Sequence, residues 1–173
     1  MTGSIVIVSG LPGVGKTTVA RELATRATRG AHLDTDQIGE TLILSGLVAP
    51  GQEPAEEADR QLTLRRRNIA DLARNFAEAG FDVAISDVVL WPELLEQYRA
   101  ATDLPLRFVL LTATANTIAG RDAGRDKHVA EQWSHLREAQ DDFDAPGLRL
   151  DTTGLDLDET LDGIRARWDD ALI

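Results

Sequence analysis

An apolar run, Ile5 to Val8, passes through Ser9 into Gly10-Leu11-Pro12-Gly13-Val14-Gly15-Lys16-Thr17, and a helical pattern follows at once. The eight residues fit G-x-x-x-x-G-K-[ST] without a gap. A strand, a glycine-rich turn and a helix in that order make half of a strand-helix-strand unit, which commits the chain to a parallel sheet covered by helices. The turn also has its own chemistry. Glycines let backbone N–H groups converge on phosphate oxygens, a lysine ammonium reaches the β- and γ-phosphates, and the hydroxyl after it can ligate Mg²⁺. Gly10, Gly13, Val14, Gly15, Lys16, Thr17 and Thr18 are therefore the expected nucleotide contacts, with Lys16 also catalytic and Thr17 on the metal.

Downstream, apolar runs and turn signals keep a β-α rhythm. Strands are predicted at Ser4–Ser9, Ala31–Leu33, Asp82–Ser86, Leu106–Leu111 and Leu148–Leu150. The longest helix is predicted from about Pro54 to Ala79, with Leu62, Ile69, Leu72 and Phe76 on its buried face and Gly80 ending it. A second helix opens at Pro92, and a closing helix is predicted over Asp158–Leu172. Ser45–Glu53, with two glycines and a proline, reads as a loop. The expected fold is a three-layer α/β P-loop NTPase with a five-stranded parallel sheet in the order 2-3-1-4-5, as one domain over 1–173.

Composition narrows the partners. A formal net charge of −11 repels polyanions, so a polynucleotide is not expected as a ligand. The absence of cysteine excludes disulfides and thiolate metal sites and makes a reducing cytoplasm the expected location. No basic leader and no apolar stretch of roughly 20 residues is present, so no membrane association is expected. Oligomeric state is left open. Of the 18 basic residues only Lys16 and Lys127 are lysines, which draws attention to a lysine at the one position where this loop requires it.

Three further segments bear on chemistry. Asp34 and Asp36, in HLDTDQIGETL, stand at the end of the second strand, where open α/β sheets bind ligands; one of them can also cap the helix starting near Gln37. Asp87 closes the apolar DVAISD run, an arrangement that places a carboxylate toward Mg²⁺ through water. Arg121 and Arg125 flank a glycine in AGRDAGRDK. Arg65–Arg67, the one basic run, are weaker candidates for gripping an anionic acceptor. His128 and His135 lack partners at metal-ligand spacing, and Trp91, Trp133 and Trp168 read as core or rim aromatics. No Asn-Lys pair is present, which argues against a GTPase of the switch type.

HLDTDQIGETL resembles the D-x-D segment of shikimate kinases, and its placement with AISDVVL, GRDAGRDK and LRLDTTG is similar to chloramphenicol phosphotransferase and other small P-loop kinases. The likeness runs through nearly the whole chain, but only the phosphate loop is a sharp motif. It departs from the chloramphenicol enzyme in offering two acids, Asp34 and Asp36. The resemblance implies an ATP- and Mg²⁺-dependent kinase acting on a hydroxyl of a small metabolite or antibiotic-like molecule. In it Asp36 is the base, Asp34 lies nearer the metal with Asp87, and Arg121 and Arg125 belong to a lid around residues 119–130 that closes over the transferring phosphoryl group. A nucleoside or nucleoside-monophosphate kinase and a non-catalytic ATP-dependent binding protein are the alternatives.

Overall fold

The computed structural model describes residues 2–122 and 136–173. Its strands are β1 (Ile5–Gly10), β2 (Gly30–Asp34), β3 (Asp82–Ser86), β4 (Leu106–Thr112) and β5 (Leu148–Asp151). The helices are α1 (Lys16–Thr25), α2 (Thr35–Leu42), α3 (Ala55–Glu78), α4 (Pro92–Ala100), α5 (Ala115–Asp122), α6 (Leu136–Asp142) and α7 (Leu157–Ala166). The sheet runs β2-β3-β1-β4-β5, all neighbours parallel, in the order expected.

β1 is buried along its whole length, as a central strand between two parallel neighbours must be, and its Ile and Val side chains suit a surface packed on both faces. β2, at the edge, is only half covered and carries few apolar residues. It extends one residue beyond the prediction at each end, reaching Asp34. Register then places Asp34 directly opposite Ser86 of β3. Because parallel strands finish at the same side of the sheet, the ends of β1, β2 and β3 bring Gly10, Asp34 and Ser86 to one edge.

The long helix α3 lies where expected, but its buried face is not the one read from Leu72 and Phe76, which are each 37% exposed. The inward stripe is instead Ala58, Arg65, Arg66, Ile69, Ala70, Ala73 and Ala77. Alanines let the helix approach β3 closely, so the larger apolar residues are turned outward, where Phe76 meets Phe81 edge to face at 5.6 Å. Two arginines in the inward stripe bring buried charge toward the ligand edge.

α7 is shorter than the predicted Asp158–Leu172. A capping box between Asp156 and Glu159 starts it, Leu161 and Ile164 fill the core, and after Ala166 the chain turns back so that Phe108 donates its N–H to the Ala171 carbonyl. Trp168, beyond the helix, packs under the Arg107 guanidinium at 4.8 Å. Among the described residues no helix is long and apolar enough to cross a membrane.

Candidate nucleotide and acceptor site

The turn between β1 and α1 has the backbone its sequence asks for. Gly13 and Gly15 take φ of 83° and 111°, values that a side chain would strain. Buried Leu11 and Val14 pin the turn to the core, and Val14 N–H closes it on the Leu11 carbonyl at 3.2 Å. Gly15 caps α1 without a side chain, so no side-chain oxygen occupies the first-turn N–H groups and the positive helix end faces the loop. Lys16 Nζ folds back to donate to the Leu11 carbonyl at 3.1 Å. Thr18 follows, half-buried, in the first turn of α1.

Asp34 combines two roles. Its Oδ1 accepts the backbone N–H groups of Asp36 and Gln37 at 2.9 and 3.1 Å, which caps α2. Its Oδ2 accepts the hydroxyls of Thr17 at 2.9 Å and Ser86 at 2.7 Å. Although burial works against its charge, the donors from Ser86, Gln37, Thr17 and Asp36 hold the Asp34 carboxyl below the ordinary range. Ser86 in turn lies 3.0 Å from His32 Nε2, and burial lowers the His32 pKa against the pull of Asp34.

Asp36 is placed differently. It sits in the first turn of α2, exposed at the surface, with surrounding protein crowding water away from its carboxyl. That loss of water and then the charge of Asp34 raise its pKa, with Asp87 adding to the effect and Lys16 and Arg65 opposing it. Asp36 is thus the point where the charges of the phosphate loop, α3 and the end of β3 meet.

Asp87 is 5% exposed, and its oxygens are engaged. Arg66 Nε and Nη2 donate to Oδ2 and Oδ1 at 2.8 and 3.3 Å, Tyr98 Oη donates to Oδ2 at 3.0 Å, and Val88 N–H donates to Oδ1 at 2.8 Å. Burial, and next the charge of Asp87, push the Tyr98 phenol well above its ordinary pKa, so it stays a donor. Arg65, the next residue on α3, has no such partner among the described residues. Its Nε is buried without a hydrogen bond and its one contact to a carbonyl, Val48, is long at 3.4 Å. The guanidinium lies flat against Gly39 of α2, where a Cβ would come within 2.5 Å of it.

Arg121, at the end of α5, spreads its guanidinium over two loops. Nη1 donates to the Val14 carbonyl at 2.8 Å and to Thr152 Oγ1 at 3.0 Å, and Nη2 donates to the carbonyls of Thr152 at 2.8 Å and Leu155 at 3.1 Å. It therefore fastens the phosphate loop to the loop after β5. Arg125 and the remainder of the expected lid, with Lys127, His128, Trp133 and His135, lie outside the described residues. Trp91 stands at the start of α4, 41% exposed.

Sequence reasoning passed over Ser86, His32 and Tyr98 and gave Arg66 little weight. Only strand register and helix rotation, which no local pattern encodes, bring them to Asp34 and Asp87. The one available signal was Arg66 itself, a charged residue recurring at the spacing of the inward alanines.

Known proteins bear on the same region. A thymidylate kinase of Xylella fastidiosa (strain M23) is 32% identical over 126 residues, covering 69% of this chain and 55% of that protein, so the chain spans about half the length of this curated relative. Among solved structures, a sugar kinase from Janibacter sp. HTCC2649 superposes with a TM-score of 0.69 at 19% identity, over 98% of this chain and 96% of that one. The Mycobacterium tuberculosis APS kinase in complex with AMPPNP and APS gives 0.70 at 17% identity, over 97% and 98%. At these identities the likeness concerns the fold. The AAA domain family matches residues 6–142, from β1 through the phosphate loop to α6, and the chain belongs to that family.

Proposed function

We propose that this chain is an ATP-dependent phosphotransferase that moves the γ-phosphoryl group to a hydroxyl of a small molecule. The observation that carries the reading is the placement of Asp36, an exposed carboxyl of raised pKa in the first turn of α2 and within electrostatic reach of Lys16 at the phosphate loop. A binding protein has no need of a base there. The structural neighbours include a sugar kinase and an APS kinase, which agrees with the reading.

In the proposed reaction the loop from Gly10 to Thr18 and the Lys16 ammonium hold the triphosphate. The acceptor hydroxyl gives its proton to Asp36, its oxygen forms the new bond to the γ-phosphorus, and the bond from that phosphorus to the β,γ-bridging oxygen breaks to leave ADP. Magnesium fits the donor set at hand. Thr17 donates its hydroxyl hydrogen bond to Asp34, which leaves the lone pairs of its oxygen for a cation. Asp34 spends its oxygens on four hydrogen bonds and works by orienting Thr17. No group of three or more acidic or histidine side chains suited to a metal occurs among the described residues, so further ligands would be phosphate oxygens and water. When bound, the ion neutralises charge on the transferring group.

Asp87, expected beside the ion, is assigned here to holding Arg66 under the acceptor cleft. Arg121 is assigned to fastening the loop after β5 against the phosphate loop, and Arg125 keeps its proposed role over the γ-phosphate. A coupled ADP-release screen over hydroxylated antibiotics, sugars, polyols and nucleosides tests the proposal. Stimulation by at least one acceptor is expected, and ATP binding without stimulation by any of them would favour the non-catalytic reading.

One observation supports a second reading, a nucleoside-monophosphate acceptor. Arg65 is a buried guanidinium with an unsatisfied Nε near Asp36, the kind of group that a phosphate would satisfy, and the curated relative is a thymidylate kinase. Nucleoside monophosphates in the same screen separate the two readings: an Arg65→Ala variant should raise KM for a monophosphate and leave a neutral acceptor nearly unaffected.

A further inference from the structure

His32, Ser86, Asp34 and Thr17 form one hydrogen-bonded line from the middle of β2 to the phosphate loop. Side-chain alternation puts His32 and Asp34 on the same face of β2, and Ser86 of β3 lies opposite Asp34 and diagonal to His32. The contacts are 3.0 Å from His32 Nε2 to Ser86 Oγ, 2.7 Å from Ser86 Oγ to Asp34 Oδ2 and 2.9 Å from Thr17 Oγ1 to Asp34 Oδ2.

The direction of every proton in this line follows from counting. Asp34, ionised, only accepts, so Ser86 must spend its single hydroxyl proton on it. Ser86 then has only lone pairs left for His32, so Nε2 must carry a proton and donate it. The ring thereby fixes the Ser86 rotor. Without it the Ser86 hydroxyl could rotate away from Asp34, and Asp34 Oδ2 would lose the second donor that keeps it beside Thr17. With it, Asp34 stays in place to accept the Thr17 hydroxyl hydrogen bond, and the Thr17 oxygen presents lone pairs outward.

We propose that His32 is a positioning residue for the metal-binding hydroxyl of Thr17, acting through Ser86 and Asp34. The inference rests on the nucleotide-binding reading of Gly10–Thr17, and it concerns ion-dependent binding, so it does not depend on whether an acceptor is phosphorylated. A neutral ring with its proton on Nε2 and a charged ring both donate, so the role needs no titration. A half-buried histidine that only fills space would need the ring shape but not the N–H.

The experiment measures calorimetric ADP affinity of the full chain with and without Mg²⁺, for the parent, H32F, H32Q, S86A and H32F/S86A. The quantity read is the ratio of the two affinities, alongside the thermal midpoint. H32F should lose about three- to tenfold of the tightening by Mg²⁺, the range that one missing hydrogen bond gives, with metal-free ADP affinity unchanged. H32Q, whose amide nitrogen can reach the same oxygen, should keep most of it. H32F/S86A should lose no more than S86A, because the histidine acts only through the serine. Full Mg²⁺ tightening in H32F, equal losses in H32F and H32Q, or additive losses in the double variant would each overturn the proposal. If H32F does not fold, S86A must show the loss and H32Q must retain the effect, and an S86A variant that behaves as the parent overturns it. Failure of the kinase reading would show separately, as intact Mg²⁺ tightening with no acceptor-stimulated turnover.

Discussion

Asp34 and Asp36, two residues apart at the junction of β2 and α2, have carboxyls displaced in opposite directions. Four donors hold Asp34 ionised, whereas loss of water around the Asp36 carboxyl and then the charge of Asp34 raise the pKa of Asp36. Two neighbouring acids with diverging pKa values are suited to different tasks, one to fix geometry and one to move a proton.

That divergence sets the pH dependence of stability. Asp34 has a folded pKa below its unfolded value, so its contribution is present above the ordinary carboxylate range, near pH 4, and is lost as pH falls through the folded value. Asp36 has the opposite sign: its folded pKa is raised, so the stability it contributes is present at low pH and lost as pH rises through that value. Thermal melts across pH 3 to 8 should therefore show Asp34→Asn lowering the midpoint at neutral pH and narrowing the gap to the parent toward the acid end. Asp36→Asn should raise the midpoint at neutral pH, the reverse sign for a change two residues away.

Arg66 and Asp87 form a buried pair, with side chains 9% and 3% exposed, and Tyr98 completes the site. Removing one charge leaves the other unpaired inside the protein, which costs about 3–5 kcal/mol. For a chain of 173 residues each kcal/mol lowers the midpoint by about 2–4 °C, so Arg66→Leu should melt roughly 6–20 °C below the parent. Arg66→Leu with Asp87→Leu should recover most of that loss, since no charge then remains buried. Thermal melts of the two variants beside the parent check both statements.

Much of the fold was legible in the sequence because the signals were local. The β1 strand, the glycine turn and the β-α rhythm each depend on residues close in the chain, and they were enough for a parallel sheet covered by helices, while the strand order came with the resemblance to small P-loop kinases. The face of α3 was not legible: Leu72 and Phe76 outscore Ala73 and Ala77 in hydrophobicity, but only the alanines allow the approach to β3. The same limit applied to the site. Asp34 and Asp36 could be named from their position after a strand, whereas identifying Asp34 as the residue that caps α2 needed the backbone of that helix. Arg121 read as a charge over phosphate because its neighbours in sequence suggested a lid, and its contacts with Val14, Thr152 and Leu155 come from loops far away in the chain.

Those contacts make a distinct prediction. The planar fork of Arg121 serves four acceptors at once, and a lysine has no comparable geometry. Arg121→Lys and Arg121→Ala should both weaken ADP binding, by about tenfold or more if two of the four bonds are needed to align the loops. The variants should be alike, and that equivalence separates a fastening role from a charge role, in which lysine would rescue. Calorimetric titration with ADP decides.

The proposed transfer of the acceptor proton to Asp36 is tested by turnover of Asp36→Asn with an acceptor found to stimulate the parent, together with ADP affinity of the same protein. The kcat should fall by about 10²–10⁴, the usual contribution of a positioned base, with ADP affinity unchanged. Turnover by Asp36→Asn equal to that of the parent would contradict it.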